Sequence, residues 1–377
     1  MERVAPPPTG GPRALLVRRG LLLIVAATLV TGVLAGLARL GVLVGWGPRY
    51  LVEHGPLLVL GAFGTVIALE RAVALGRSWG LAAPTLGAAG AVAMLAGFAD
   101  GRWLTVASLI ALVALNAALV RRQPATFTWL MLLGTAVLAY GALRWARGAP
   151  PFQVVTTWIA YFVLTIVAER LELSRLAPTP RWAARALVVL AALLALVAIA
   201  ACERPRLVRA LGALLALTAA WQLRFDLARR LVRRAGLPRF AASGVLVGAA
   251  WLLATGVFLA AGELPPAGPR YDAALHGVFI GYVLSMVFAH APIILPAVAR
   301  LEVRFTPALY APLALLHLGL VVRVVGDLDA VPSLRRGGAI ASALAIALFG
   351  VTVAVARWMS RHRLDHRQVE RPAAGGR

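Results

Sequence analysis

The sequence predicts an all-α fold, a polytopic membrane bundle of about twelve helices. Three observations lead there. Hydrophobic residues make up 61% of the 377-residue chain and charged residues 14%, with a mean hydropathy of +0.83, whereas a soluble domain is about 25% charged. Apolar runs recur along the whole length, each near the ~20 residues a helix needs to cross a bilayer. The breaks between them are short and hold arginine, glycine and proline, which leaves no room for a soluble domain.

Each run has its own boundaries. The first, 20–44, follows Arg13, Arg18 and Arg19 without a small-residue cleavage site, so it predicts an uncleaved span behind a tail of residues 1–19. The next two, 54–75 and 79–98, are divided by Gly76 and Arg77, and 103–120 is closed by Arg121 and Arg122. Runs 126–145 and 152–168 are separated by Gly148, Pro150 and Pro151, and 183–202 and 207–223 by Arg204 and Pro205. Run 240–262 follows Gly236 and Pro238, 271–297 follows Gly268 and Pro269, 306–325 opens at Pro307, and 337–358 follows Pro332. An arginine-rich tail with His362 and His366 occupies 359–377, leaving 20–358 as one transmembrane domain.

The basic residues set the expected orientation. With a cytoplasmic N-terminus, the tails and loops on that side hold 26 arginines against 11 on the other, so the positive-inside rule places both termini inside a bacterial cytoplasmic membrane. The net charge of +23 is thereby topological and does not point to nucleic acid. The segments ending 68–75, 168–173 and 299–303 share paired Glu and Arg, a faint sign of three four-helix units. No phosphate loop, HExxH motif or midplane carboxylate is found, which disfavours an ATPase, a zinc hydrolase and a proton-coupled carrier.

Histidine carries the remaining chemistry, because the single cysteine, Cys202, excludes a CxxCH haem site and a multi-thiolate metal site. His54 opens helix 2 and His276 lies a few residues into helix 10, two helices that run in the same direction, so the two imidazoles fall at similar depth. That arrangement fits two axial ligands to one haem, with iron as the partner that satisfies an intramembrane imidazole. The plainer alternatives are an interfacial His54 beside close-packing glycines and a His276 bonded to Asp272 or Tyr271. His290, fourteen residues after His276, is predicted on the same helical stripe, with Gly281 and Met286 on or beside it. His317 is its expected partner, as a copper or second-haem site or as ordinary hydrogen-bonded residues. Arg323, paired with Asp327 at i, i+4, is expected to hold haem propionates or to form a solvated ion pair. Glu70 with Arg71 and Glu169 with Arg170 are read as interface anchors, and Asn116, Gln153, Tyr161 and Gln222 as interhelical glue.

Two segments resemble the NnrS family of nitric-oxide-response membrane proteins. One is His54 with the Gly-rich run behind it; the other is the pattern Ala274, Leu275, His276, Gly281, Met286. The chain differs from the family in having a lone His54 after Glu53 where an HxHE pattern is usual, and in the early position of His290. The resemblance implies a haem- and copper-containing protein linked to nitric oxide, with the lipid bilayer, haem and a small redox ligand as partners. Helices 2 and 10 also resemble the low-spin haem helices of haem-copper oxidases, without the copper-ligating histidines of helices 6 and 7. A cofactor-free permease, with Tyr282 and Ser285 lining its path, and a structural or assembly protein are the alternatives.

Overall fold

The computed structural model describes residues 11–173 and 179–369. The expected tails fall partly beyond it: residues 1–10, 370–377 and the side chains of His362 and His366 lie outside the described residues. Among the described residues there are twelve long helices: α1 (Pro12–Arg39), α2 (Tyr50–Leu75), α3 (Ser78–Ala96), α4 (Gly101–Arg122), α5 (Thr126–Ala146), α6 (Pro151–Leu173), α7 (Arg181–Ala201), α8 (Val208–Phe225), α9 (Leu237–Ala260), α10 (Pro269–Ala299), α11 (Pro307–Leu328) and α12 (Pro332–Ser360). Eleven are long and apolar enough to cross a membrane, as a multi-pass membrane protein requires. The exception, α8, has eighteen residues with Arg209 and Arg224 near its ends. Proline in the first turn starts many of these helices, where its missing N–H costs nothing, and left-handed glycines at 76 and 97 stop α2 and α3. Helix α1 begins at Pro12, so residues 12–19 of the expected tail are helical.

Short connections make the helices alternate in direction. We call the end where α2 and α10 begin the upper end. Cross-contacts fix it: Arg102 at the start of α4 pairs with Glu53 at the start of α2, at 2.9 Å, and Arg336 donates to the Leu40 carbonyl just past α1. At the lower end Arg122 donates to the Leu75 carbonyl and Arg19 to that of Ala299.

Helix α6 occupies the centre. Its apolar window is 83% buried, against 22% for α12 and 28% for α1. Phe162 on α6 stands edge-on to Phe63 of α2 and to Phe279 of α10, with ring centroids 6.0 Å away in each case. Other contacts use small residues that let backbones approach, as where Gly319 of α11 meets Ala341 and the backbone of α12. Polar glue falls where expected for two residues: Asn116 donates to Thr135 and Gln222 to the Tyr282 hydroxyl.

Two helices contain π-helical segments. Directly below their histidines, α2 is π-helical over Leu57–Gly64 and α10 over Gly277–Leu284. In α2 the cause is local, since Pro56 inside the helix removes a donor and crowds the preceding turn. The wider turn changes the rotational phase of everything after it. This overturns the single stripe expected for His276 and His290: the first faces α2, while the second turns to α6 and bonds Arg170. Gly281 and Met286 likewise pack on α9, a Cβ at Gly281 meeting Trp251 at 2.6 Å and Met286 lying beside Gly248.

Candidate functional site

A cavity of about 400 Å³ lies in the upper half of the bundle, walled by α1, α2, α6, α10, α11 and α12. Both His54 and His276 line it. Their ring centroids are 6.4 Å apart and their planes are inclined by 23°. Each ring is held through Nδ1. That of His54 donates to the Gly32 carbonyl on α1, 2.7 Å away, and that of His276 donates to the Asp272 carbonyl one turn earlier, 2.8 Å away. A carbonyl only accepts, so Nδ1 carries the proton and each Nε2 keeps its lone pair. Neither Nε2 makes a hydrogen bond among the described residues.

The α1 side of this arrangement depends on a GxxxG pair. Gly32 supplies the acceptor, and Gly36 lies flat against the imidazole, where an added Cβ would come within 2.6 Å of His54 Cε1. On the other side, Trp158 of α6, fully buried, contributes to the wall beside Gly55. The body of the cavity is apolar, with Leu29, Val33, Val155 and Phe279 among its lining residues.

The mouth is charged. Arg39, Asp272, Arg323, Arg335 and Arg336 all line it. Arg323 and Asp327 do not form the expected i, i+4 pair. Arg323 instead reaches across to α10 and donates from Nε and Nη2 to the two Asp272 carboxylate oxygens, at 2.9 and 3.1 Å. Asp327 pairs with Arg335 at 2.8 Å, and Arg335 also lies 3.6 Å from Asp272. The close seating of α12 on α11 puts these partners nearer than the residue one turn away.

His290 and His317 bond different groups. His290 donates from Nδ1 to the Met286 carbonyl at 2.7 Å and receives Arg170 at Nε2, 2.8 Å away, so both its nitrogens are engaged. His317 Nε2 lies 3.2 Å from Ser285 Oγ. The two rings are thus bonded to different partners, and His317 Nδ1 is buried without a hydrogen bond among the described residues. Arg170 is not an interface anchor either: it is buried, pointing inward to His290. Arg71 joins Glu70 at 2.7 Å and approaches Glu169 at 3.9 Å. Below Arg170, in the connection after α8, Asp226 accepts from the Ala228 N–H at 2.7 Å while its second carboxylate oxygen is buried without a hydrogen-bond partner. Burial pushes the Asp226 carboxyl above its ordinary range, opposed by nearby Arg170.

Among the described residues no three His, Cys, Asp or Glu side chains converge on a metal-sized site. His54 and His276 are a facing pair of histidines that share a cavity. Tyr282 and Ser285, the expected lining of a permease path, are buried, bonded to Gln222 and to the Gly244 carbonyl. Sequence reasoning missed Arg39, Arg335, Arg336, Trp158 and the Gly32 and Gly36 pair. Only the last had a readable signal, the GxxxG spacing.

No curated protein matches the chain. One family model does, over residues 18–358, a stretch that includes every residue lining the cavity. The chain belongs to the family described as a domain of unknown function, DUF8744.

Proposed function

We propose that the chain is a multi-pass membrane haem protein of b type in which His54 and His276 are the two axial ligands. The spacing of the rings carries the reading. With metal–nitrogen bonds of about 2 Å and each ring nitrogen about 1 Å from its ring centre, two axial imidazoles have centroids about 6 Å apart; here the value is 6.4 Å. The supporting details agree in kind. Both rings are held in the tautomer that leaves Nε2 free, each by a backbone carbonyl, which is the usual outer contact of a ligating histidine. Gly36 leaves room for the His54 ring, the cavity body is apolar, and its rim is cationic.

Haem iron supplies one-electron redox chemistry when bound. The protein's own residues hold the two rings, keep water from the cavity body through Leu29, Val33, Val155 and Phe279, and steady His276 through the Asp272, Arg323 and Arg335 network. Held by both histidines, the group would serve electron transfer as its primary role in this reading. Binding a small ligand such as nitric oxide, as the likeness to NnrS proteins implies, requires one histidine to leave. Copper has no part in the proposal, because His290 and His317 are engaged elsewhere. The location belongs to the same proposal: a bacterial cytoplasmic membrane with both termini inside.

The test is spectroscopic. Protein purified from haem-replete cells should show a Soret band and a b-type pyridine haemochrome near one haem per chain. His54→Ala and His276→Ala should each abolish or strongly reduce it, while His290→Ala should retain it. A colourless wild-type protein under those conditions ends the proposal.

A further inference from the structure

The geometry points to Arg39 and Arg336 as the residues that bind the acidic edge of the cavity's ligand, a planar apolar molecule bearing two carboxylates on one side. This rests on the haem reading above and names contacts which that reading leaves open. Four guanidinium groups stand at the mouth, those of Arg39, Arg323, Arg335 and Arg336. Two of them are committed. Arg323 forms a two-pronged pair with Asp272, and Arg335 lies between Asp327 and Asp272.

The other two are not. Arg39 gives one hydrogen bond, from Nη1 to the Leu51 carbonyl at 3.2 Å. Arg336 gives one, from Nε to the Leu40 carbonyl at 2.9 Å. Neither has a carboxylate within ion-pairing distance among the described residues. A guanidinium has five N–H donors, so most donors of both remain available. The two belong to one rim, because the carbonyl that steadies Arg336 is that of the residue next to Arg39. With two carboxylates facing four arginines, the rim keeps a surplus of two positive charges. A ligand edge with two carboxylates neutralises it, and arginine forks suit carboxylates in geometry and strength. The apolar body beneath excludes a small inorganic anion as the whole ligand. The expectation for Arg323 shifts accordingly: it steadies Asp272, and through it His276, without taking the ligand's carboxylates.

Full-length protein, stripped of haem in detergent, is titrated with haemin and with haemin dimethyl ester, following the Soret band and tryptophan quenching. Wild type should bind the diacid at least about tenfold more tightly than the ester, the scale of one or two charge-assisted hydrogen bonds. The double substitution Arg39→Gln with Arg336→Gln should remove that preference and leave ester binding unchanged, and the corresponding double lysine variant should restore part of it. Arg323→Gln should weaken both ligands alike. Equal wild-type affinity for the two compounds overturns this inference while leaving the haem reading intact. Binding of neither compound overturns both. Loss of discrimination in Arg323→Gln alone, with the double glutamine variant unaffected, reassigns the contact and overturns it too.

Discussion

The two imidazoles of the cavity are placed by their neighbours' lack of side chains as much as by their own helices. Gly36 is the sharpest case: a methyl there comes within 2.6 Å of His54 Cε1, closer than packed carbons tolerate, so the ring must leave its bond to the Gly32 carbonyl. Gly36→Ala should cost about 1–3 kcal/mol as an overpacked contact, and Gly36→Leu should also lose haem with helicity unchanged, which circular dichroism and the Soret band together measure. Asp226 makes a separate prediction outside the spans. Its folded-state carboxyl is pushed up by burial, so the folded protein holds that proton more tightly than the unfolded chain. Stability from this group therefore falls as pH rises from the ordinary carboxylate range to the raised folded value. Thermal unfolding in detergent across that range should show the decline, and Asp226→Asn should flatten it.

Helices are where the sequence was most readable and where its main error arose. Twelve apolar runs gave twelve helices, because length and hydropathy are summed over ~20 residues and survive local irregularity. Depth was also legible: His54 and His276 meet since both lie near the start of helices running the same way. Rotational phase was not. The stripe joining His276 to His290 assumed 3.6 residues per turn, and the π-helical turns over Gly277–Leu284 break that assumption in a stretch between the two histidines that carries no proline. Partner choice among the arginines was hidden for a related reason. Whether Arg323 finds Asp327 on its own helix or Asp272 on α10 depends on how closely α11, α10 and α12 approach. That approach rests on glycine. At Gly319 an added Cβ meets Ala341 at 2.8 Å, and Gly326 and Gly338 lie against the backbones of Arg335 and Arg323. Gly338→Val should therefore separate α11 from α12, lower the melting temperature, and disturb the Asp272 network. Its spectroscopic mark would be a shifted haem midpoint potential in whatever fraction still binds haem.

At the scale of the whole molecule, the cavity and the larger share of the arginines occupy different ends, and that asymmetry makes orientation a functional matter. The cavity mouth with Arg39, Arg323, Arg335 and Arg336 belongs to the upper end, whereas most arginines among the described residues lie at the lower end. If the arginine-rich end is retained in the cytoplasm, the mouth opens on the opposite side, and the ligand's acidic edge with it. The polar cluster of Arg170, His290, Glu169 and Arg71 then lies toward the cytoplasm, separated from the cavity by the Phe63, Phe162 and Phe279 rings. Single-cysteine labelling tests this directly, because Cys202 is the only native thiol and is buried. In a Cys202→Ser background, Ala99→Cys reports the exposed upper connection between α3 and α4, and Ser78→Cys the exposed lower start of α3. A membrane-impermeant maleimide should modify the first in intact cells and the second only after permeabilisation. The reverse pattern would turn the mouth toward the cytoplasm, so that an electron partner reaching the cavity from that end would have to be cytoplasmic.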